Sequence, residues 1–398
     1  MSLGFGRTYL AIPGPSVMPD RVLNAMHRAA PNIYGGPLHD LVEVMRTQLR
    51  TVAGTRHHVA IYIGNGHAAW EAANANVFSR GDRALSLVTG QFGLGWAEAA
   101  RQMGVAVDEL DFGRRTPVDA ARVSEALAAD RDHTIRAVLL THVDTATSVR
   151  SDVAAVRAAI DAAGHPALLM VDCIASLGCE EFRMDDWGVD VMVAASQKGL
   201  MTPPGLGFVW FNDRAREACA RADLRTPYWD WGPRTETEFF HQYFGGTAPT
   251  HHLYALAEAL RMIEEEGLEA IWTRHARLAR AVWAAVECWG AEGAIELNIP
   301  DAAHRAHAVT ALRMQSPNGT ALRDWTETRA GVTLGIGLGM APMGDPAWHG
   351  FFRIGHMGHV NAHMMMGVLG VIEAGLIALR IPHGEGALSA AARVIAEA

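Results

Sequence analysis

Lysine is almost absent from this chain: Lys198 is its only one, and the other 33 of its 34 Lys+Arg residues are arginine. Cysteine is scarce too, with Cys173, Cys179, Cys219 and Cys288 spread at spacings that suit neither a metal site nor a disulfide framework. Reduced thiols and a cytoplasmic setting are therefore expected. Long basic blocks are missing and the formal net charge is −9, which argues against nucleic acid as a partner. Long apolar runs are missing as well. The nearest approach, MMMGVLGVIEAGLIAL, contains Glu373 and three glycines, too interrupted to span a bilayer and expected to be a buried helix. The opening residues, MSLGFGRTYLAIPGPS, lack the charged and apolar regions of a signal peptide.

What is present is ordinary globular material, 49% hydrophobic and 19% charged. A length of 398 residues exceeds what one core usually serves, so two domains are expected. Seven strand-like runs cover 58–63, 84–88, 105–110, 136–142, 167–172, 190–195 and 207–211, and amphipathic stretches such as 153–164 lie between several of them. Such alternation predicts an α/β fold with a mainly parallel seven-stranded sheet covered by helices on both faces. Residues 225–250, rich in Trp, Tyr, Pro and Thr, read as an ordered loop region. Helices are expected over 250–266 and 268–289. Strands at 306–314 and 350–354 and two closing helices then form a smaller α+β unit. The expected division is 1–255, with an N-terminal arm over 1–20, and 256–398, joined through a shared helix.

Three features fall at the C-terminal ends of these strands, where open α/β sheets place ligands. Asp172 ends ALLMVD and offers a carboxylate to a ribose, a metal or a protonated ring nitrogen, or simply caps the next loop. Lys198 follows DVMVAA in Ser196-Gln197-Lys198-Gly199, where burial would leave a neutral amine able to form a Schiff base. Gly64-Asn65-Gly66-His67 joins a strand to a helix, a turn whose backbone N–H groups suit a phosphate. Together a phosphate cradle, a strand-end carboxylate and an amine meet the needs of pyridoxal 5′-phosphate. By contrast His356, His359 and His363 lack an accompanying carboxylate or cysteine at ligand spacing, so no metal is expected.

The stretches AIPGPSVMPDRVLNAM, AAGHPALLMVDCIASLG, WGVDVMVAASQKGLMTPPGLGF and FFRIGHMG resemble those of fold-type I, class V aminotransferases, nearest the serine–glyoxylate and alanine–glyoxylate branch. The resemblance implies Lys198 as the Schiff-base lysine and proton shuttle, with Asp172 as the partner of the pyridine nitrogen. It implies Gly66, His67 and Ala68 in the phosphate turn, Phe92 stacked on the ring, Thr145 near the cofactor's 3′-oxygen, and Ile174 and Gln197 beside the cofactor. Thr247 is implied at the phosphate from across a homodimer that shares its active sites. Arg353 is implied as the grip on the substrate carboxylate, with Gly14 and Tyr34 on the substrate side. The implied substrates are a small L-amino acid, of serine or alanine type, and a small 2-oxo acid, glyoxylate or pyruvate.

The chain departs from the serine–glyoxylate pattern in places. Ile33-Tyr34-Gly35-Gly36-Pro37 stands where an arginine-containing stretch is common, and Asn65-Gly66-His67-Ala68 replaces Ser-Gly-Thr-Gly. Gly246-Thr247-Ala248-Pro249 keeps the threonine of a Tyr-Thr-Pro element but not the tyrosine, unless Tyr243 substitutes. These changes bear on the amino donor. A pyridoxamine–pyruvate aminotransferase and a lyase on the same fold are the alternatives. A cysteine desulfurase is disfavoured by Gln197 and Phe92, where relatives carry histidine. A non-catalytic small-molecule-binding protein is disfavoured by the pairing of Asp172 with Lys198.

Overall fold

The computed structural model describes residues 2–293 and 295–397, so only the first residue of the expected arm, residue 294 and the last residue of the chain lie outside the described residues. In chain order the strands are β1 (Tyr9–Ala11), β2 (His58–Gly64), β3 (Arg83–Val88), β4 (Ala106–Asp111), β5 (Ile135–Thr141), β6 (Val143–Asp144), β7 (Val149–Arg150), β8 (Leu168–Asp172), β9 (Val191–Ala195), β10 (Gly205–Phe211), β11 (Ile295–Leu297), β12 (Val309–Met314), β13 (Val332–Ile336) and β14 (Phe351–Gly355). The large sheet has seven strands in the order β2-β10-β9-β8-β5-β3-β4. Pairing is parallel from β4 through β9, and β10 is antiparallel to both β9 and β2. All seven expected strands are present, within a residue or two of their expected ends.

Period-two alternation explains why this sheet is covered on both faces. Leu140, Val171 and Ala194 point into one core with the helices Pro37–Ala53 and Thr250–Glu266. Leu139, Met170 and Val193 point into the other, against the helices Gly66–Val77 and Gln91–Gln102. The central strands β8 and β9 are buried at every position. That is why they read as unbroken apolar runs.

The second sheet has five strands in the order β1-β13-β14-β12-β11, and its first strand comes from the N-terminal arm, Tyr9–Ala11 running parallel to Val332–Leu334. The long helix Leu268–Trp289 serves both units: Ile271 packs in a core of the large sheet, whereas Leu278 through Trp289 pack with the small one. Residues 225–250 are more structured than an ordered loop, holding helical turns at Gly232–Thr235 and Phe240–Phe244. Packing holds them there. Trp231 stacks on Phe211 at 4.0 Å between ring centroids, and the buried Arg234 donates to the Ile61 carbonyl at 2.8 Å. No helix among the described residues is long and apolar enough to cross a membrane.

Candidate active site

The C-terminal ends of β2, β8 and β9 lie at one edge of the large sheet, since Gly64 pairs with Gly205, Ala195 with Gly207 and Asp172 with Val193. A cavity of about 210 Å³ opens there, lined by Gly14, Gly66, His67, Phe92, Thr145, Asp172, Ile174, Gln197 and Lys198, among others. Nine expected site residues are thus brought together from segments distant in sequence.

Lys198 lies in the turn after β9, and that turn is held from several sides. Ser196 Oγ donates to the Pro203 carbonyl at 2.7 Å, while the arm residue Ser16 donates through Oγ to the Lys198 carbonyl at 2.7 Å. Lys198 Nζ itself donates to the carbonyl of Pro13. Gly14 is required beside it: its backbone has φ +93°, and a Cβ there would lie 2.4–2.6 Å from the end of the lysine side chain. Burial pushes the ammonium pKa down to about 8, the Arg353 charge adds to the fall, and Asp172 opposes it. A usable fraction of neutral amine therefore exists near neutral pH.

Asp172 ends β8, only 3% exposed. Its Oδ1 accepts from the Ile174 N–H at 2.7 Å and its Oδ2 from the Trp70 indole N–H at 2.9 Å. Burial outweighs both donors and pushes the carboxyl up to about 7. A cationic N–H placed against it would reverse that penalty. The sign of the pH dependence follows. In the fold the proton is held more tightly than in the unfolded chain, so this contribution is fully present below about pH 3.8 and lost as pH rises through about 7. Raising the pH of cofactor-free protein from 5 to 8 is expected to cost wild type up to about 3 kcal/mol more than Asp172→Asn protein. Denaturant titrations of both proteins at the two pH values measure this, and equal pH responses would contradict it.

The turn at the start of the helix Gly66–Val77 is compact because Gly66 has no side chain: a Cβ there would lie 2.4 Å from Ile174 Cδ1. The Asn65 side chain caps this helix, accepting from His67 N at 3.0 Å and Ala68 N at 3.4 Å. A phosphate bound here would compete with Asn65 for those N–H groups. Gln197 Oε1 lies buried with no hydrogen-bond partner. An unpartnered amide oxygen, a buried carboxyl and a near-neutral amine around one cavity fit the polar groups of pyridoxal 5′-phosphate.

Arg353, on β14, is 6% exposed and does not line the cavity, although it acts on Lys198 electrostatically. Its Nε donates to the Ile336 carbonyl at 2.7 Å and its Nη1 to the Thr145 carbonyl at 2.8 Å. Burial lowers its pKa to about 10, so the guanidinium remains cationic at neutral pH. Ala68, Tyr34 and Thr247 are also absent from the lining, and Tyr34 is 90% exposed. Of the expected histidines, His356 is buried and engages Thr310 Oγ1 at 2.8 Å and the His307 carbonyl at 2.8 Å, while His359 and His363 are exposed. Among the described residues no group of three or more His, Cys, Asp or Glu is arranged to hold a metal.

Two residues at the site escaped the sequence reading. Asp144, fully buried, accepts from the N–H groups of Phe92 at 2.8 Å, Gly93 at 3.2 Å and Ala146 at 2.9 Å, and so fixes the start of the helix that carries Phe92. Gly90 makes room for it, since a Cβ there would meet the carboxylate at 2.5–2.7 Å. Trp70 is the other. The only signal for either was adjacency, Asp144 to Thr145 and Trp70 to the phosphate turn.

The class-V aminotransferase family model matches residues 8–361. Serine–glyoxylate aminotransferase of Methylorubrum extorquens is 35% identical over 396 residues, covering 97% of this chain and 95% of its own. L-Aspartate–glyoxylate aminotransferase of Paracoccus denitrificans is 35% identical over 391 residues, covering 96% and 94%. The crystal structure of ureidoglycine–glyoxylate aminotransferase from Bacillus subtilis superimposes with a TM-score of 0.87 at 25% identity, covering 98% of each chain. A cavity at the strand ends bearing Asp172 and Lys198, together with this match over nearly the whole chain, makes the protein a member of the class-V aminotransferases, a fold-type I enzyme dependent on pyridoxal 5′-phosphate.

Proposed function

We propose that the enzyme moves an amino group between a small monocarboxylic L-amino acid, of serine or alanine type, and a small 2-oxo acid, glyoxylate or pyruvate. The observation that carries this reading is the sparse cationic equipment of the site. The lining contains Lys198 and His67 but no arginine, and Arg353 behind it is the cation available to a substrate carboxylate. Within one chain, a second carboxylate on the donor would find no guanidinium on the cavity lining. The names of the similar enzymes, several of which use glyoxylate, support the acceptor.

Pyridoxal 5′-phosphate, when bound, supplies an aldehyde that condenses reversibly with amines and a protonated ring that draws electron density from the substrate Cα. Asp172 would hold the ring N–H. Gly66, His67 and Ala68 would hold the phosphate end, Phe92 and Ile174 would confine the ring, Gln197 would lie beside the cofactor, and Thr145 would serve its 3′-oxygen. Lys198 Nζ, neutral in useful amounts near pH 8, would take the proton from the substrate Cα and, as its ammonium, give it back on the far side of the amino nitrogen, at the carbon contributed by the cofactor's aldehyde. Arg353 orients the carboxylate so that the Cα–H bond faces that amine, and Gly14 leaves the amine room to swing. Tyr34 and Thr247, outside the cavity of a single chain, support a homodimer in which each chain completes its partner's site. Four free thiols, three of them buried, fit a cytoplasmic enzyme.

A panel of donors and acceptors tests the proposal. Serine or alanine with glyoxylate or pyruvate is expected to exceed aspartate in kcat/KM by about a hundredfold. Faster turnover of aspartate, or of free pyridoxamine with pyruvate, would replace this reading.

A further inference from the structure

We infer that Trp70 is a positioning residue for this reaction, its indole N–H fixing the carboxylate of Asp172 against which the ring nitrogen of the cofactor rests. The inference depends on the assignment of Asp172 made above. Its basis is geometric. The two carboxylate oxygens of Asp172 are each held by one internal donor, Oδ1 by the Ile174 N–H at 2.7 Å and Oδ2 by the Trp70 indole at 2.9 Å. The first donor is backbone and would survive any substitution at its own position other than proline. The second is a side chain, 102 residues away in sequence, and it alone can be changed.

The indole cannot turn away. Trp70 is 1% exposed and stacks on Trp96 with centroids 6.2 Å apart and planes at 9°. Trp96 is itself tied by its N–H to Asn74 Oδ1 at 3.1 Å. Gly95 faces the far edge of the Trp70 ring, where a Cβ would already lie at 3.3–3.4 Å. The Trp70 ring packs edge to face with His67, of the phosphate turn, at 4.6 Å between centroids and with Phe92 at 6.4 Å. One rigid ring thus touches three residues that line the cavity, and its N–H direction is set by packing.

Chemistry gives a reason for an indole here. It donates one hydrogen bond and neither accepts one nor becomes charged. A histidine or arginine in its place would bring a cation that competes with the ring nitrogen for the same carboxylate. A neutral donor opposes the effect of burial on Asp172 and leaves the negative charge for the ligand. A buried indole also needs an acceptor for its own sake. The experiment must therefore separate partnering from positioning.

The test is a double-mutant cycle read on cofactor affinity. Cofactor-free wild type, Trp70→Phe, Asp172→Asn, the double variant and Trp96→Phe are each titrated with pyridoxal 5′-phosphate, with Kd taken from equilibrium dialysis between pH 6 and 9. Trp70→Phe is expected to weaken binding by about tenfold to a hundredfold near pH 7, as for a hydrogen bond to a charged group. The deficit should shrink toward pH 9, where Asp172 is ionised with or without the indole. Trp96→Phe, which loosens the same stack but leaves the Trp70 N–H, should change Kd by less than about threefold, the scale of a modest packing change. In the Asp172→Asn background the Trp70→Phe effect should disappear. Should Trp70→Phe not fold, β-(3-benzothienyl)alanine at position 70 removes the N–H while keeping the ring, and the same cycle applies. An effect of Trp70→Phe that persists in the Asp172→Asn background, or that does not exceed that of Trp96→Phe, overturns the inference. An Asp172→Asn protein that binds as tightly as wild type overturns the assignment of Asp172 instead.

Discussion

Lys198→Ala protein is expected to lose transamination by about 10⁴-fold, because in the proposed mechanism the residue serves both as the amine that receives the cofactor and as the base at the substrate Cα. Lys198→Arg should fare no better. A guanidinium stays protonated at any working pH, so it can neither attack an aldehyde nor take a proton. In wild type the amine is poised by burial and by the nearby Arg353 charge at about 8. The rate at which cofactor-free protein develops visible absorbance with added pyridoxal 5′-phosphate should therefore rise with pH, with a midpoint near 8. The sign follows from the neutral amine being the reactive form. Borohydride should then fix the cofactor to the peptide containing residue 198 in wild type and nowhere in the alanine variant. Wild-type turnover by Lys198→Ala protein would remove the mechanism altogether.

The second large effect is expected at Arg353. Arg353→Leu should lower kcat/KM for amino donor and for 2-oxo acceptor alike by about a thousandfold, the scale for losing one partner of a buried charge pair. Both should fall because, in the proposed mechanism, one guanidinium orients both acids. Arg353→Lys should recover little. The arginine already holds the carbonyls of Ile336 and Thr145 through Nε and Nη1, and an ammonium has no fork with which to hold those and a carboxylate together. Steady-state kinetics with each substrate varied in turn measure this. A fall confined to one of the two acids would show that they are held by different residues.

The large sheet was legible in the sequence because its strands are covered on both faces, and two-sided cover demands unbroken apolar runs between turn signals. The small unit was only half legible. Strands β1 and β11 have three residues each, too few to show a period. Strand β13, Val332–Ile336, runs into the Gly335-x-Gly337-x-Gly339 series, which reads as loop. The helix Asn318–Ala330 buries only Gly319, Leu322 and Thr326, so it has almost no apolar stripe to recognise. At the site, Lys198 stood out by being the sole amine, and Asp172 by ending a buried strand. Arg353 did not, being one of 33 arginines, and only likeness to known enzymes distinguished it. Trp70 and Asp144 act through other residues, and such second-hand roles leave no mark in residue type or spacing.

The pairing of Tyr9–Ala11 with Val332–Leu334 also sets a schedule for synthesis. Gly14 and Ser16, which press on Lys198 and its turn, leave the ribosome first, yet the strand that anchors their segment is made almost last, and Arg353 later still. At 5–20 residues per second, roughly half a minute separates the two ends of that pairing. Through that interval the large sheet can form while the cavity at its strand ends lacks a wall and the guanidinium proposed to serve it. The nascent chain therefore cannot carry out its chemistry until it is nearly complete, and a chain truncated before β13 would hold the lysine without the architecture that uses it.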